Sequence, residues 1–107
     1  MALRHEHFRI MEVLHVHGPA TIPALAHFLA IEERIVRQYV QQLREKGYLV
    51  GDTTRGNLKI FTFYWYRVER NLVDAEALSR HMEHTQRYAR LKRWRRTIIH
   101  ARSSVAA

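Results

Sequence analysis

Four side chains within a short span, Arg34, Arg37, Gln38 and Gln41, have the chemistry to read a DNA duplex. An arginine can donate two hydrogen bonds to O6 and N7 of guanine, and a glutamine can pair with N6 and N7 of adenine, so two of each suit contact with base edges in the major groove. Spacing puts them together. With Val36, Val40 and Leu43 as the buried stripe of a helix from Glu33 to Lys46, a turn of about 100° per residue brings Arg34, Gln38, Gln41 and Glu45 to the opposite face, with Arg37 beside them. A merely solvated helix could carry the same face, because Arg and Gln are also good helix formers. A second set, Thr53, Thr54, Arg55, Asn57 and Lys59, lies in a polar stretch where Gly51 and Gly56 permit turns. It can donate to phosphates or reach a minor groove, or it is an ordinary hairpin loop. A third is RYARLKRWRRTIIHAR, residues 87–102, with seven cationic side chains and no acidic one. There Arg87, Arg90, Lys92, Arg93, Arg95 and Arg96 can supply auxiliary phosphate contacts or form a solvated basic tail.

Other chemistries find less support. Without cysteine there is no disulfide framework and no thiolate metal site, and a reducing compartment is expected. The histidines of HEH at 5–7, HVH at 15–17 and HMEH at 81–84 invite a metal test, but only His81 and His84 could share a helix face, and spacing offers no third ligand. They read as scattered surface histidines, with no metal and no cofactor expected. A Gly-rich phosphate loop, a nucleophile elbow and a compelling carboxylate pair are all missing, so the chain is not expected to be an enzyme. A net charge of +8 favours an anionic partner, most often nucleic acid. No apolar run approaches the roughly 20 residues of a membrane span, and the N-terminus has no apolar signal core. A cytoplasmic protein, associated with the nucleoid when bound to DNA, is the expectation.

The elements that must position these residues follow from periodicity. Leu3, Ile10, Met11 and Leu14 predict a first helix from Leu3 to Val16, stopped by Gly18-Pro19. Thr21 is a plausible N-cap for a short second helix with Pro23 in its first turn and Leu25, Ala26, Phe28 and Leu29 on its apolar face, ending near Ala30. The third helix runs from Glu33 to Lys46 with Gly47 as its stop. Tyr48-Leu49-Val50, the polar GDTTRGN and KIFTFYWY then predict a strand, a loop and a strand. Helix formers return from Val68 to about His100.

This order, and the stretch TIPALAHFLAIEERIVRQYVQQLREKGYLV in particular, resembles the helix-turn-helix of bacterial or phage-type winged-helix transcriptional regulators, with LA in the second helix, Ile31 in the turn and L-x-x-x-G-Y-L-V at the end. The resemblance covers roughly residues 3–66 and implies an α+β, mainly α, fold: three helices plus a β-hairpin wing, with a C-terminal helical extension. It further implies that the third helix lies in the DNA major groove while the wing touches backbone or minor groove. Many such regulators carry Ser or Thr at the start of that helix, where this chain has Glu32 and Glu33. These carboxylates suit the helix dipole but repel phosphate. Either they point away from DNA, or Glu33 accepts from a cytosine amino group, or the domain serves protein binding.

The expected divisions are a winged helix-turn-helix domain over 1–67, the extension over 68–102 and a frayed tail over 103–107. Phe61, Phe63, Tyr64, Trp65 and Tyr66 make both faces of the second strand aromatic, which predicts burial on the core and under the following helix rather than stacking on single-stranded bases. Leu78, Met82, Thr85 and Ala89, with Leu72 and Val73 near the start, form a stripe for packing or for a homodimer with paired half-sites. Leu91, Trp94 and Ile98 project roughly 160° to 220° away from it, so one stripe cannot serve the whole extension. The leading expectation is a regulator of double-stranded DNA. The alternative is a winged-helix module that captures an acidic protein partner.

Overall fold

A computed structural model describes residues 2–85. The chain divides between Glu76 and Ala77 into two units. The first unit has the order α1 (His5–His17), α2 (Ile22–Leu29), α3 (Glu33–Glu45), β1 (Leu49–Arg55), β2 (Leu58–Phe63) and the single turn α4 (Trp65–Val68). Residues 72–85 are helical as well and form α5 as far as it is described. Three helices followed by an antiparallel hairpin give the winged helix-turn-helix arrangement.

Helix α1 starts two residues later than periodicity predicts, because His7 Nδ1 accepts the Arg4 backbone N–H at 2.8 Å and fixes Arg4 as the N-cap. Leu3 therefore precedes the helix. Ile10, Met11 and Leu14 are buried as read, and Gly18, at φ 92°, ends the helix in a conformation that other residues rarely adopt. Thr21 caps α2, its Oγ1 accepting Ala24 N–H at 3.3 Å. The buried face of α2 is Ile22, Leu25 and Leu29. Phe28, expected there, is 56% exposed. Ala30 ends α2 in the left-handed region at φ 55°, and the Ile31 N–H reaches Ala26 O at 3.1 Å, which makes the tight turn into α3.

Helix α3 buries Val36, Val40 and Leu43, the stripe that its spacing predicts. Its end is a two-bond cap, Gly47 N–H to Arg44 O at 2.9 Å and Tyr48 N–H to Leu43 O at 3.0 Å, with Gly47 at φ 85° and the side chains of Tyr48 and Leu43 both buried.

The hairpin is longer than the sequence suggests. GDTTRGN was expected to be loop, yet β1 runs to Arg55 and pairs Thr53 with Ile60, Thr54 with Lys59 and Arg55 with Leu58, leaving Gly56-Asn57 as the turn. Threonines favour strands, and Gly56 at φ 65° makes a two-residue reversal possible. The ladder shifts between Val50 and Thr53, where Gly51 and Asp52 oppose Phe61 in a β-bulge. Gly51 does not supply the turn freedom expected of it: it is buried, and a Cβ there would lie 2.7 Å from the Phe61 ring. The backbone of Phe61 in turn exchanges hydrogen bonds with Ala20, at 2.8 and 3.1 Å, which fastens the hairpin to the segment between α1 and α2.

The aromatic run is not one strand. Phe61 and Phe63 belong to β2 and are buried, but Trp65 and Tyr66 lie in α4, and Tyr64 and Tyr66 are exposed. Strand β2 stops because its last partner is Leu49, and the residues before Leu49 are used by the cap of α3. Contrary to the expectation, the two aromatic faces are therefore not both covered. Asn71 caps α5, its Oδ1 accepting Asp74 N–H at 3.2 Å. Of the stripe read on the extension, Leu78 and Met82 are buried, Leu72 is 73% exposed, and Thr85 is exposed with its hydroxyl donating to His81 O at 2.9 Å. Ala89 lies outside the described residues. No helix among the described residues is long and apolar enough to cross a membrane.

Candidate nucleic-acid interface

Burying one side of α3 leaves Arg34, Arg37, Gln38 and Gln41 exposed on the other. Arg34 Nη2 stands 4.0 Å from Glu32 Oε2 with both side chains mostly in water, a contact too weak to hold either one back from a ligand. Gln42, one residue beyond the reading set, has a different fate. Its Oε1 lies 2.7 Å from His7 Nε2. Since His7 Nδ1 already accepts a backbone N–H, Nε2 must carry the proton and donate to Gln42, and the ring must be neutral. Burial holds its pKa below the ordinary histidine value, and the hydrogen bond to Gln42 and the Glu6 charge only partly oppose this. The ring also sets its edge against Tyr39, 4.8 Å between centroids at 80°. His7 is thus a corrected expectation: it is a buried joint between α1 and α3, not a surface histidine.

The far end of α3 is tied down by a cluster that sequence reading missed. Lys46 Nζ at 2.9 Å and Tyr48 Oη at 2.5 Å both donate to Asp74 Oδ2, and Asp74 is buried. Burial by itself would raise the Asp74 pKa, but the bonds from Tyr48 and Lys46 and the lysine charge outweigh it and hold the carboxyl below its ordinary value. Burial and the adjacent carboxylate push the Tyr48 hydroxyl upward. A spacing of 28 residues between Lys46 and Asp74 gives no local signal, which is why the pair could not be read from the sequence. Arg67, also unforeseen, donates to Gly47 O at 3.1 Å and lies over the rings of Tyr64 and Tyr66 at 5.7 and 5.9 Å.

The wing residues Thr53, Thr54, Arg55, Asn57 and Lys59 are all exposed, but the hairpin sends them to different sides. Thr54 pairs with Lys59 and Arg55 with Leu58, and alternate residues of a strand face opposite ways. Asn57 and Lys59 line a cleft of about 340 Å³ beside α3, together with Glu33, Arg37, Gln41 and Arg44. Arg55 instead lines a cleft of about 230 Å³ with His17, Thr21 and Phe28. Gln38 borders a third, about 490 Å³, with Arg4, His7, Tyr39 and Gln42. Arg87, Arg90, Lys92, Arg93, Arg95 and Arg96 lie outside the described residues. Among the described residues no group of three His, Asp or Glu side chains could hold a metal ion.

Solved structures share this arrangement. The adhesin competence repressor AdcR of Streptococcus pyogenes aligns over 83% of this chain and 65% of its own, with a TM-score of 0.60 and 24% identity. ZitR of Lactococcus lactis, in a complex with DNA, aligns over 85% of this chain and 61% of its own at a TM-score of 0.61 and 18% identity. A MarR family regulator of Neisseria meningitidis aligns over 81% of this chain and 58% of its own at a TM-score of 0.59 and 11% identity. These likenesses show the winged helix-turn-helix fold. The chain spans less than two thirds of each of these three structures. No family model matches the sequence, and no curated protein does so either.

Proposed function

We propose that the chain is a small transcriptional regulator that binds double-stranded DNA sequence-specifically, as a homodimer. In this reading α3 enters the major groove, where Arg34, Arg37, Gln38 and Gln41 meet base edges, and Thr53, Thr54, Arg55, Asn57 and Lys59 of the wing meet phosphates or the minor groove. The basic segment with Arg87, Arg90, Lys92, Arg93, Arg95 and Arg96 adds phosphate contacts. The observation that carries it is the division of α3 into a fully buried apolar stripe and a solvent-facing side rich in Arg and Gln. That side belongs to the helix which the fold presents beside a hairpin, and one structural neighbour, ZitR, was solved with DNA. Leu78 and Met82 are already buried within the chain, so of the stripe Leu72 and Thr85, with Ala89 beyond them, are left for a homodimer that would pair two such helices with two half-sites. Exposure of Leu72 fits a surface that a second copy covers. No catalytic role is part of this reading.

Selection from a random duplex library is the test. One enriched motif, symmetric about its centre, is the expected result. A lack of enrichment at moderate salt overturns the regulator. A second reading, a winged-helix module for an acidic protein, draws on the exposed Tyr64 and Tyr66 with Arg67 and Arg70 beside them. Binding to an acidic polypeptide that survives in salt and is lost with Tyr66→Ala would favour it, if no duplex motif emerges.

A further inference from the structure

We propose that the cleft between α3 and the wing seats a phosphate of the DNA backbone, held by Arg37, Arg44, Asn57 and Lys59, and that base reading falls mainly to Arg34 and Gln38, which lie outside it. This rests on the regulator reading and narrows it, moving Arg37 and Gln41 of the exposed α3 face from base edges to the phosphate.

Three features carry the assignment. The polar part of the cleft's lining has three cations, Arg37, Arg44 and Lys59, against one carboxylate, Glu33, and Gln41 and Asn57 add amide donors. Its cations come from two elements that face one another, so a single anionic oxygen group could be gripped from both sides, which suits a phosphodiester better than the planar edge of a base. Arg44 is the fixed member. Its guanidinium lies over the Phe61 ring at 5.7 Å, and Phe61 is buried and pinned by its backbone bonds to Ala20. A cation held this way loses little freedom on binding. Gly51 completes the support, since any Cβ at 51 would occupy the space of that ring. Glu33 sits on the same wall as a repulsive element, which disfavours binding to phosphate anywhere except where the cations outweigh it.

The experiment uses the full chain, the duplex selected from the library, and the variants R44A, K59A, Q38A and E33Q, each checked for an unchanged melting temperature. Where Arg44→Ala melts early, Lys59→Ala, at an exposed strand position, stands in for it. R44A and K59A should each lower the slope of log affinity against log salt, and the two changes together by no more than the roughly 0.9 of the one phosphate they share, while the enriched motif stays the same. Q38A should flatten the motif and leave the slope unchanged. Replacing single phosphates by neutral methylphosphonates should identify one position whose neutralisation weakens the unaltered chain but no longer affects R44A or K59A. E33Q should tighten binding to all duplexes alike. The assignment is overturned by unchanged slopes, by a motif lost with Arg44 or Lys59, or by no shared phosphate position. A loss of preference for one cytosine in E33Q would also overturn it, because Glu33 would then be a base reader. If the unaltered chain binds no duplex, the regulator reading fails and takes this assignment with it.

Discussion

Gln38 and Gln42 are one helical turn apart on α3 and chemically identical, yet one faces water beside the reading arginines and the other accepts a hydrogen bond from a buried histidine. The contrast extends along the helix. Its solvent side carries polar groups whose bonding capacity is open to a ligand, whereas its inner side and C-terminal end are committed to α1, the hairpin and Asp74. Residue type therefore does not decide role here. Position relative to the Val36–Val40–Leu43 stripe does, and the two sides should separate cleanly in experiment: changes on one cost stability, changes on the other cost sequence preference.

The hardest test of that separation is Asp74. Its carboxylate is the shared acceptor for Lys46 and Tyr48, and its loss leaves a half-buried ammonium and a buried hydroxyl without their partner. Asp74→Ala should lower unfolding free energy by about 3 kcal/mol, measured by urea titration, because removing one member of a buried pair costs far more than the pair is worth. A loss no larger than that of an exposed ion pair would remove Asp74 from the scaffold side. Gly51→Ala comes next. The new methyl meets the Phe61 ring at 2.7 Å, and Phe61 cannot retreat while Ala20 holds its backbone, so a loss of about 1–3 kcal/mol is expected. Melting at the unaltered temperature would show that the bulge can relax.

What was legible in the sequence follows the same line. The buried stripe of α3, the exposed quartet opposite it, the Thr21 cap and the Gly47 stop were readable because each depends on neighbours within a turn or two. What escaped depends on distance. Nothing local to Gln42 says that His7 will reach it, nothing local to Lys46 points to Asp74, and Arg44 reads as a surface cation until Phe61 is beneath it. The wing was misjudged for a different reason. Thr53 and Thr54 look like loop by polarity, and their pairing with Ile60 and Lys59 is set by a two-residue turn at Gly56-Asn57 and a bulge at Gly51. The aromatic run misled because β-prone residues cannot continue a strand past the end of the partner strand.

The paired glutamines offer a smaller but sharper comparison. Gln38→Ala should cost about 1–3 kcal/mol of discrimination at one base pair of a selected duplex and leave the melting temperature alone. Gln42→Ala should do the reverse, costing about 1–3 kcal/mol of stability because the buried His7 Nε2–H loses its acceptor, while the enriched motif is retained. If both variants change the motif, His7 and Gln42 orient the reading face as well as anchoring it, and the two sides of α3 are coupled.

The weakest expected effect concerns protons, and its sign can be worked out. Neutral His7 accepts from Arg4 N–H and donates to Gln42, so a second proton would set a donor against a donor. Its folded pKa lies below the ordinary 6.5, chiefly through burial, so the unfolded chain binds protons first as pH falls. The stability that His7 contributes is complete above pH 6.5 and is lost as pH drops from there through the folded pKa. Asp74, held below its ordinary 3.8, acts in a separate window: its contribution is complete above that value and fades as pH falls further, through its folded pKa. Urea midpoints followed from pH 7.5 downward should therefore decline in two stages. His7→Gln should remove the upper stage while leaving the lower one. An upper stage that persists in that variant would assign it to another group, and the joint between α1 and α3 would then stand on packing against Tyr39 rather than on the protonation state of His7.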